Sequence, residues 1–477
     1  MAQPFVEPSC RGVIDAEPCP RALDREAAPV RRRILLTSCV LASSMAFVDG
    51  SALTVALPNL RASIGADLAS VQWVLNGYVL SLASLTLIGG ALADAYGKAR
   101  ILTIGCIVFA AASVACALAP SLGWLIAARV VQGVGAALLT PASLALIGAT
   151  YPKEERNAAI GVWAAASALT TAGGPILGGW LTETFGWQAV FWINPPIAAV
   201  AVALLYKFAP QDERRPGGFD FVGAAVVAMT LGVLACGLSQ IGGNKGDAAR
   251  IEHIVVALAL ALVGFVVYGF WEHRTEHPMT PPRLTQNRSF VGLNLATLLI
   301  YWGLAQMFFL VPFDLVDRRG LPPAEAGAVF LPFTLGMGLL SRPFGAAADS
   351  IGARPMLIAG PIAAALAFVW LAFGQQASLV WGTMVPMILL GIAFAVFVAP
   401  LTASVLSSVP ESDEGLASGL NNAAARIAQL AGIALAAGIG SLSSGYRLGF
   451  LAAAALSLAG ALTMAATLPA RMRPRRR

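Results

Sequence analysis

"GALADAYG" occupies residues 90–97 and "GAAADSIG" occupies residues 345–352. Both read G-x-x-x-D-x-x-G. Each closes an apolar segment and runs into basic residues: Lys98 and Arg100 after the first copy, Arg354 after the second. Glycine permits tight turns and close helix approach, and a short acidic side chain can cap a helix start or bind an arginine. One copy would pass for an ordinary polar loop. Two copies in matching surroundings mark a duplicated unit, with Gly90, Asp94 and Gly97 answering Gly345, Asp349 and Gly352.

The surroundings are membrane-like. Of 477 residues, 57% are hydrophobic and 12% charged, against about 25% charged in a typical soluble chain. Mean hydropathy is +0.74. Apolar runs near the ~20 residues that span a bilayer as helix recur along the chain. They do not alternate as barrel strands would. Fourteen such runs can be marked between residues 34 and 468. The two motif copies follow runs 2 and 10, whereas two six-helix halves alone would put them after runs 2 and 8. Runs 7 and 8 therefore read as an insertion.

The expected organisation is an all-α polytopic membrane protein of two six-helix halves plus two inserted helices. Its parts are a disordered tail at 1–33, an N-terminal half at 34–208, a linker with two extra helices at 209–289, a C-terminal half at 290–468 and a basic tail at 469–477. Parallel halves around a midplane site are a transporter plan.

Charge placement sets the expected orientation. With the N-terminus inside, the outer loops hold only Arg61, Lys245, Arg250, Arg318, Arg319 and Arg447. Arg129 and Arg426 fall within spans, and every other lysine and arginine of the 31 lies inside. The positive-inside rule then puts both termini in the cytoplasm of a multi-pass cell-membrane (inner-membrane) protein. The net charge of +6 follows from these topology signals and from contacts with anionic membrane lipids, so no nucleic-acid partner is expected. The N-terminal tail lacks the apolar core of a secretory signal.

Other chemistries find little support. No G-x-x-x-x-G-K-[ST] loop is present. Three histidines leave little room for a catalytic triad, so no enzyme is expected. "EHRTEH" at 272–277 spaces His273 and His277 by four, but it sits at a membrane edge before a proline-bearing loop, and no metal is expected. The six cysteines lack zinc-site spacing, and no disulfide is expected.

Four further stretches carry a resemblance to the major facilitator superfamily and its fourteen-helix drug:proton antiporters. "VDGSALTVALP" (48–58) is similar to the family's first-helix motif, with Thr54 in place of the usual asparagine. "RVVQGVGAA" (129–137) resembles the fourth-helix motif R-x-x-Q-G-x-G-A-A. "GGPILGG" (173–179) resembles the fifth-helix antiporter motif, with Thr170 where a glycine often starts it. "FGWQAVFWINPP" (185–196) is similar to the start of the sixth helix. "NGYVLSLASLTLIGGALA" (76–93) resembles methylenomycin-type exporters in particular.

The resemblance implies the major facilitator fold. It also implies export of a small hydrophobic or cationic compound in exchange for protons, with the proton as coupling ion and no cofactor. The chain is expected to work as a monomer. A dedicated metabolite transporter is an alternative, as is a membrane sensor or scaffold without transport.

Asp49 is the residue that most needs a reason. A charge at mid-bilayer costs roughly 2.5–3.5 kcal/mol on insertion scales. Asp49 lies about 12 Å from the outer end of its helix, counted from Leu57, and Arg129 about 10 Å from the same side, counted from Leu122. Their depths match. Asp49 reads as the proton carrier, Arg129 as the cation that tunes it, and Gln132 as a hydrogen-bonding neighbour. A static pair that only holds helices together, or direct attraction of a cationic substrate by Asp49, remain alternatives. Gly173, Gly174, Pro175, Gly178 and Gly179 read as a pliable gating helix between the halves, or as a plain packing kink. Asn76, Asn294, Trp302, Gln306 and Arg426 are candidates for the substrate cavity. Asp314 reads as a solvated loop acid.

Overall fold

The computed structural model describes residues 29–209, 220–239, 248–275, 284, 286–410, 414–440 and 445–469. Most of both tails, most of "APQDERRPGG" and His277 lie outside the described residues. Among the described residues every regular element is helical. The first half comprises α1 (Pro29–Ile64), α2 (Leu68–Tyr96), α3 (Lys98–Ala117), α4 (Leu122–Thr150), α5 (Lys153–Phe185), a short α6 (Ala189–Trp192) and α7 (Asn194–Phe208). Then come α8 (Phe221–Ser239) and α9 (Ala248–Glu272). The second half comprises α10 (Arg288–Phe313), α11 (Pro323–Ala328), α12 (Leu331–Ile351), α13 (Ala353–Phe373), α14 (Val385–Ser407), α15 (Glu414–Gly440) and α16 (Gly445–Thr467).

Among the described residues, eleven helical segments are long and apolar enough to cross a membrane, with α6–α7 and α11–α12 each counted as one. Helices α2, α5 and α8, of 29, 33 and 19 residues, complete fourteen spans.

Local chemistry fixes several helix ends. Asp67 caps α2 by accepting from Ser70 N at 2.9 Å, and Ser121 caps α4 by accepting from Trp124 N at 3.3 Å. The paired motifs are helical almost throughout, which corrects their reading as loops. Gly90 and Asp94 lie in the last turns of α2, and Asp349 lies in the last turn of α12. Only Gly97 (φ 106°) and Gly352 (φ 95°) fall between helices. A single residue can reverse the chain there because glycine alone reaches such φ cheaply. Arg354 donates from Nη2 to the Ala465 carbonyl at 2.9 Å, tying the second copy to α16. Lys98 and Arg100 both make contacts of their own. The side chains of Asp94 and Asp349 lie outside what the structure describes.

The duplication extends to packing. In the first half α1 packs on α5, α2 on α4, α3 on α4, and α7 on both α1 and α3. In the second half α10 packs on α15, α12 on α14, α13 on α14, and α16 on both α10 and α13. Each pairing has its counterpart in the same order. Helices α8 and α9 stand outside this scheme. They pair with each other, and α8 rests against α2 and α15. Asp220 fastens them by accepting from Gly223 N at 2.8 Å and from Trp271 Nε1 at 2.8 and 2.9 Å. Only 6% of α9's most apolar window is buried, as expected of a helix whose solvent is lipid.

Fourteen spans place the α8–α9 connection and the C-terminus on opposite faces. Reporter fusions after Lys245 and Arg477 should therefore report opposite sides of the membrane. The same side at both would contradict the span count.

Candidate functional site

The structure brings Asp49, Arg129 and Gln132 together in the middle of the first half. Asp49 and Arg129 are both 0% exposed. Arg129 Nη1 donates to Asp49 Oδ2 in a buried ion pair. It also donates to Gln132 Oε1 at 2.7 Å, and Gln132 Nε2 donates to Asp49 Oδ1 at 2.9 Å. Arg129 Nε donates to the Val74 carbonyl at 2.8 Å, which ties the pair to α2.

The glycines of "RVVQGVGAA" explain how α4 comes so near. A Cβ on Gly133 would sit 2.5 Å from the Tyr78 carbonyl oxygen, and one on Gly135 would sit 2.7 Å from Phe109 N. Without side chains at these positions, α4 presses against α2 and α3 and delivers Arg129 to the interior.

Three participants escaped the sequence reading. Asn194 Nδ2 donates to Asp49 Oδ1 at 3.3 Å and to Ser113 Oγ at 2.8 Å. Ser113 also accepts from Gln132 Nε2 at 3.2 Å and donates to the Phe191 carbonyl at 3.0 Å. The span that starts with the sixth-helix motif at 185–196 is two helices, α6 and α7, meeting at Ile193 and Asn194 before Pro195 and Pro196. That break was the available signal, since a polar residue at an interrupted span points to a site. Tyr78 is the third. Its ring centre lies 4.2 Å from the Arg129 guanidinium, and its hydroxyl donates to the Ala46 carbonyl at 2.9 Å.

A cavity of about 400 Å³ lies between the halves, and Tyr78 forms part of its wall. Asp49 and Arg129 do not line it. The ion pair therefore sits behind Tyr78. Of the five cavity candidates only Arg426 lines the cavity. Helix phase corrects Trp302 and Gln306: α10 turns Tyr301, Leu304, Ala305, Phe308 and Phe309 to the cavity, and those two leave from another face. Asn294 shares the cavity face but lies about two turns nearer the start of α10 than Tyr301, the first lining residue of that helix. It accepts from Nδ2 of the lining residue Asn421 at 3.2 Å. Gln306 is fully buried with neither amide atom paired among the described residues, and Asn76 is the same on α2 beside the lining residues Leu75 and Tyr78.

The fifth-helix motif divides its contacts. A Cβ on Gly174 would collide with Ser51 Oγ, and one on Gly178 with the Ala52 carbonyl, both on α1 of the same half. A Cβ on Gly179 would collide with the Pro323 carbonyl of α11 in the other half. Gly327 of α11 meets the Pro175 carbonyl in return, whereas Gly173 faces open space. Two polar contacts cross between the halves at this same end, remote from the chain termini. Arg61 Nη2 pairs with Asp317 Oδ2 at 3.0 Å, and Glu183 Oε2 accepts from Ala324 N at 3.0 Å. The cavity is closed on that side. Asp314, expected to be solvated, is also at this end. It is buried because Arg318 and Arg319 fold back to pair with it, Arg319 Nε at 3.0 Å.

A duplicated helical bundle, closed at one end over a central cavity and holding a buried ion pair, is the architecture of a membrane transporter. The chain belongs to the Major Facilitator Superfamily, whose family model matches residues 39–291 and 293–477. It is 32% identical over 394 residues to the multidrug resistance protein Stp of Mycobacterium tuberculosis, covering 82% of this chain and 72% of the relative. It is 29% identical over 405 residues to the methylenomycin A resistance protein of Streptomyces coelicolor, covering 84% of each. The riboflavin transporter RibZ of Clostridioides difficile is 29% identical over 385 residues, covering 80% of this chain and 82% of that one. The fold superposes on a crystal structure of the peptide transporter POT with sulfate at a TM-score of 0.68, with 16% identity over 92% of this chain and 94% of that one. The protein is thus a multi-pass membrane protein of a transporter family.

Two outcomes follow from this geometry. Removing one partner of a buried pair costs about 3–5 kcal/mol, because the other charge is left uncompensated. Arg129→Ala should lower the unfolding temperature in detergent, and adding Asp49→Asn should recover part of the loss. No recovery in the double variant would mean the pair is not the source. At the closed end, Gly179→Val should hold α5 and α11 apart. Labelling of Thr54→Cys by an impermeant maleimide from that face should rise severalfold. Unchanged labelling would show that this contact does not seal the cavity.

Proposed function

We propose that this chain is a proton-coupled antiporter that exports small, largely hydrophobic molecules from the cell, with both termini in the cytoplasm and the cavity open to that side. Protons and membrane lipids are its other partners, it needs no cofactor, and it works as a monomer. The observation that carries the coupling is the position of Asp49: fully buried, paired with Arg129, and beside the cavity-lining Tyr78, whose ring packs on Arg129.

The hydrogen bonds suggest how proton and substrate would communicate. Arg129, Gln132 and Asn194 all aim N–H groups at the two Asp49 oxygens. An ionised carboxylate only accepts, whereas a protonated one must donate from one oxygen. A proton on Asp49 therefore sets an O–H against an N–H and forces at least one donor to re-aim. Arg129 Nη2 and Asn194 Oδ1 are buried without a partner among the described residues, so a second bonding pattern has a donor and an acceptor ready. Arg129 stacks on Tyr78, so its re-aiming moves the cavity wall. Substrate pressing on Tyr78 would act on the same link from the other side. The closing glycines Gly179 and Gly327 supply a seal that alternates with this change.

The resistance proteins among the relatives support export of drug-like molecules. A dedicated metabolite transporter is a second reading, favoured by the relative named as a riboflavin transporter. A susceptibility screen in an efflux-deficient host separates the two by breadth of substrates.

The coupling is tested in proteoliposomes with an imposed pH difference. Asp49→Asn keeps the volume and some hydrogen bonds but cannot carry a proton. It should abolish accumulation against a gradient while leaving a folded protein that still binds substrate. Uphill transport at the parent rate would refute Asp49 as the proton carrier. Tyr78→Leu, with no ring for Arg129 to stack on, should keep binding but lower the substrate moved per proton consumed.

A further inference from the structure

Arg426 differs from Arg129 in one respect that bears on what the cavity holds. Both are arginines deep in a membrane-spanning bundle. Arg129 is neutralised by Asp49. Arg426 has no carboxylate partner among the described residues. Its Nη1 donates to Gln429 Oε1 at 3.2 Å, one turn along its own helix, and its guanidinium lies 5.9 Å from the Phe47 ring centre. It is half-buried and lines the cavity.

Among the described residues that line the cavity there is no other charge: none is aspartate, glutamate or lysine. Asn422, Arg426 and Gln429 are spaced by four and three, so one face of α15 turns an amide, a guanidinium and a second amide into the same space. Phe47, Tyr78, Tyr301, Phe308 and Phe309 supply an aromatic surface. At about 400 Å³ the cavity is within the ~300–1,000 Å³ of small-molecule sites.

We propose that the cavity selects amphipathic organic anions, with Arg426 as the residue that binds the anionic group and the aromatic wall taking the apolar body. This rests on the central cavity being the transport site, and it replaces the cationic substrates expected from the sequence. A fixed guanidinium without a counter-charge is unfavourable in a low-dielectric site, and a bound carboxylate or phenolate removes that cost. Its planar fork suits a carboxylate, and Nη2 and Nε are not engaged by any described residue. A cationic ligand would meet a charge of its own sign and no acid. Asp49 cannot serve it, being buried behind Tyr78 with its oxygens already taken. Exchange of one entering proton for one leaving anion also carries two charges in the same electrical direction, so the membrane potential would drive both steps.

The test uses three probes of one shape and different charge: 2-naphthoate, 2-naphthamide and 2-naphthylmethylammonium. Binding to the purified full chain is measured by calorimetry. In the parent, naphthoate should bind about tenfold or more tightly than naphthamide, the worth of a charge-assisted hydrogen bond, and the ammonium weakest. Arg426→Gln should erase the gap between acid and amide. Arg426→Lys should keep part of it, and this variant decides the matter if the glutamine variant does not fold. Asp49→Asn should leave the gap intact. The proposal is overturned if the acid binds no better than the amide, if the ammonium binds best, or if the gap survives unchanged in the Arg426 variants. Absence of the gap in the parent, alongside Asp49-dependent uphill export, would overturn the ligand class alone. A gap that persists without uphill export would overturn the coupling alone.

Discussion

The buried Asp49–Arg129 pair is the contact on which the first half is organised. Five helices meet at it. Asp49 comes from α1, Val74 from α2, Ser113 from α3, Arg129 and Gln132 from α4, and Asn194 from α7. A charge pair in such surroundings is rarely the most stable solution, since similar apolar side chains often pack as well or better. Its presence is better explained by what it can do than by what it holds. A change of one proton at Asp49 alters the hydrogen-bond inventory of a group that touches five helices. No surface carboxylate could have that reach, because water would absorb the change.

The two membrane-embedded arginines divide labour by their partners. Arg129, with its carboxylate, its carbonyl and the Tyr78 face, is locked in place. Arg426 is held by a glutamine one turn away and lies 5.9 Å from the Phe47 ring centre, with no carboxylate partner among the described residues. Tyr78 stands between the two systems, touching Arg129 on one side and the cavity on the other. A single side chain in that position makes communication between ligand and ion pair a local matter, without a chain of intermediates.

Much of this was legible in the sequence for physical reasons. Apolar length sets the spans, and the duplicated G-x-x-x-D-x-x-G located the halves. Equal depth along antiparallel helices was enough to pair Asp49 with Arg129. What could not be read depends on rotation about helix axes and on breaks within spans. Trp302 and Tyr301 are neighbours in sequence, but only Tyr301 faces the cavity. Gln306 and Asn76 failed as lining residues for the same reason, and Asn294 because the cavity ends before its turn of α10: polarity says a residue avoids lipid, not which interior it faces. Asn194 was hidden in a run whose Pro-Pro break was read only as family likeness. Asp314 looked solvated because it lies near the outer end of its span. The chain instead forms a π-helical turn over Asp314–Arg318 that folds both arginines onto it.

The closed end shows how little holds the halves in this state. Arg61 and Asp317 are each about a third exposed, and such a pair is worth about 0–1 kcal/mol. The Glu183–Ala324 hydrogen bond is exposed as well. Most of the closure must come from close backbone contact at Gly179 on Pro323 and Gly327 on Pro175. Contact of that kind is lost abruptly, because dispersion falls away within an ångström or so of separation. It also leaves no buried charge behind when it parts. On the proposed cycle this seal alternates between a closed and an open state. Each tenfold shift in their populations needs only about 1.4 kcal/mol. On the proposed cycle, a proton at Asp49 or an anion at Arg426 would need to supply a bias of only that order. Weakness at the seal and strength at the ion pair are thus two halves of one requirement: the gate must yield to an event that the core registers.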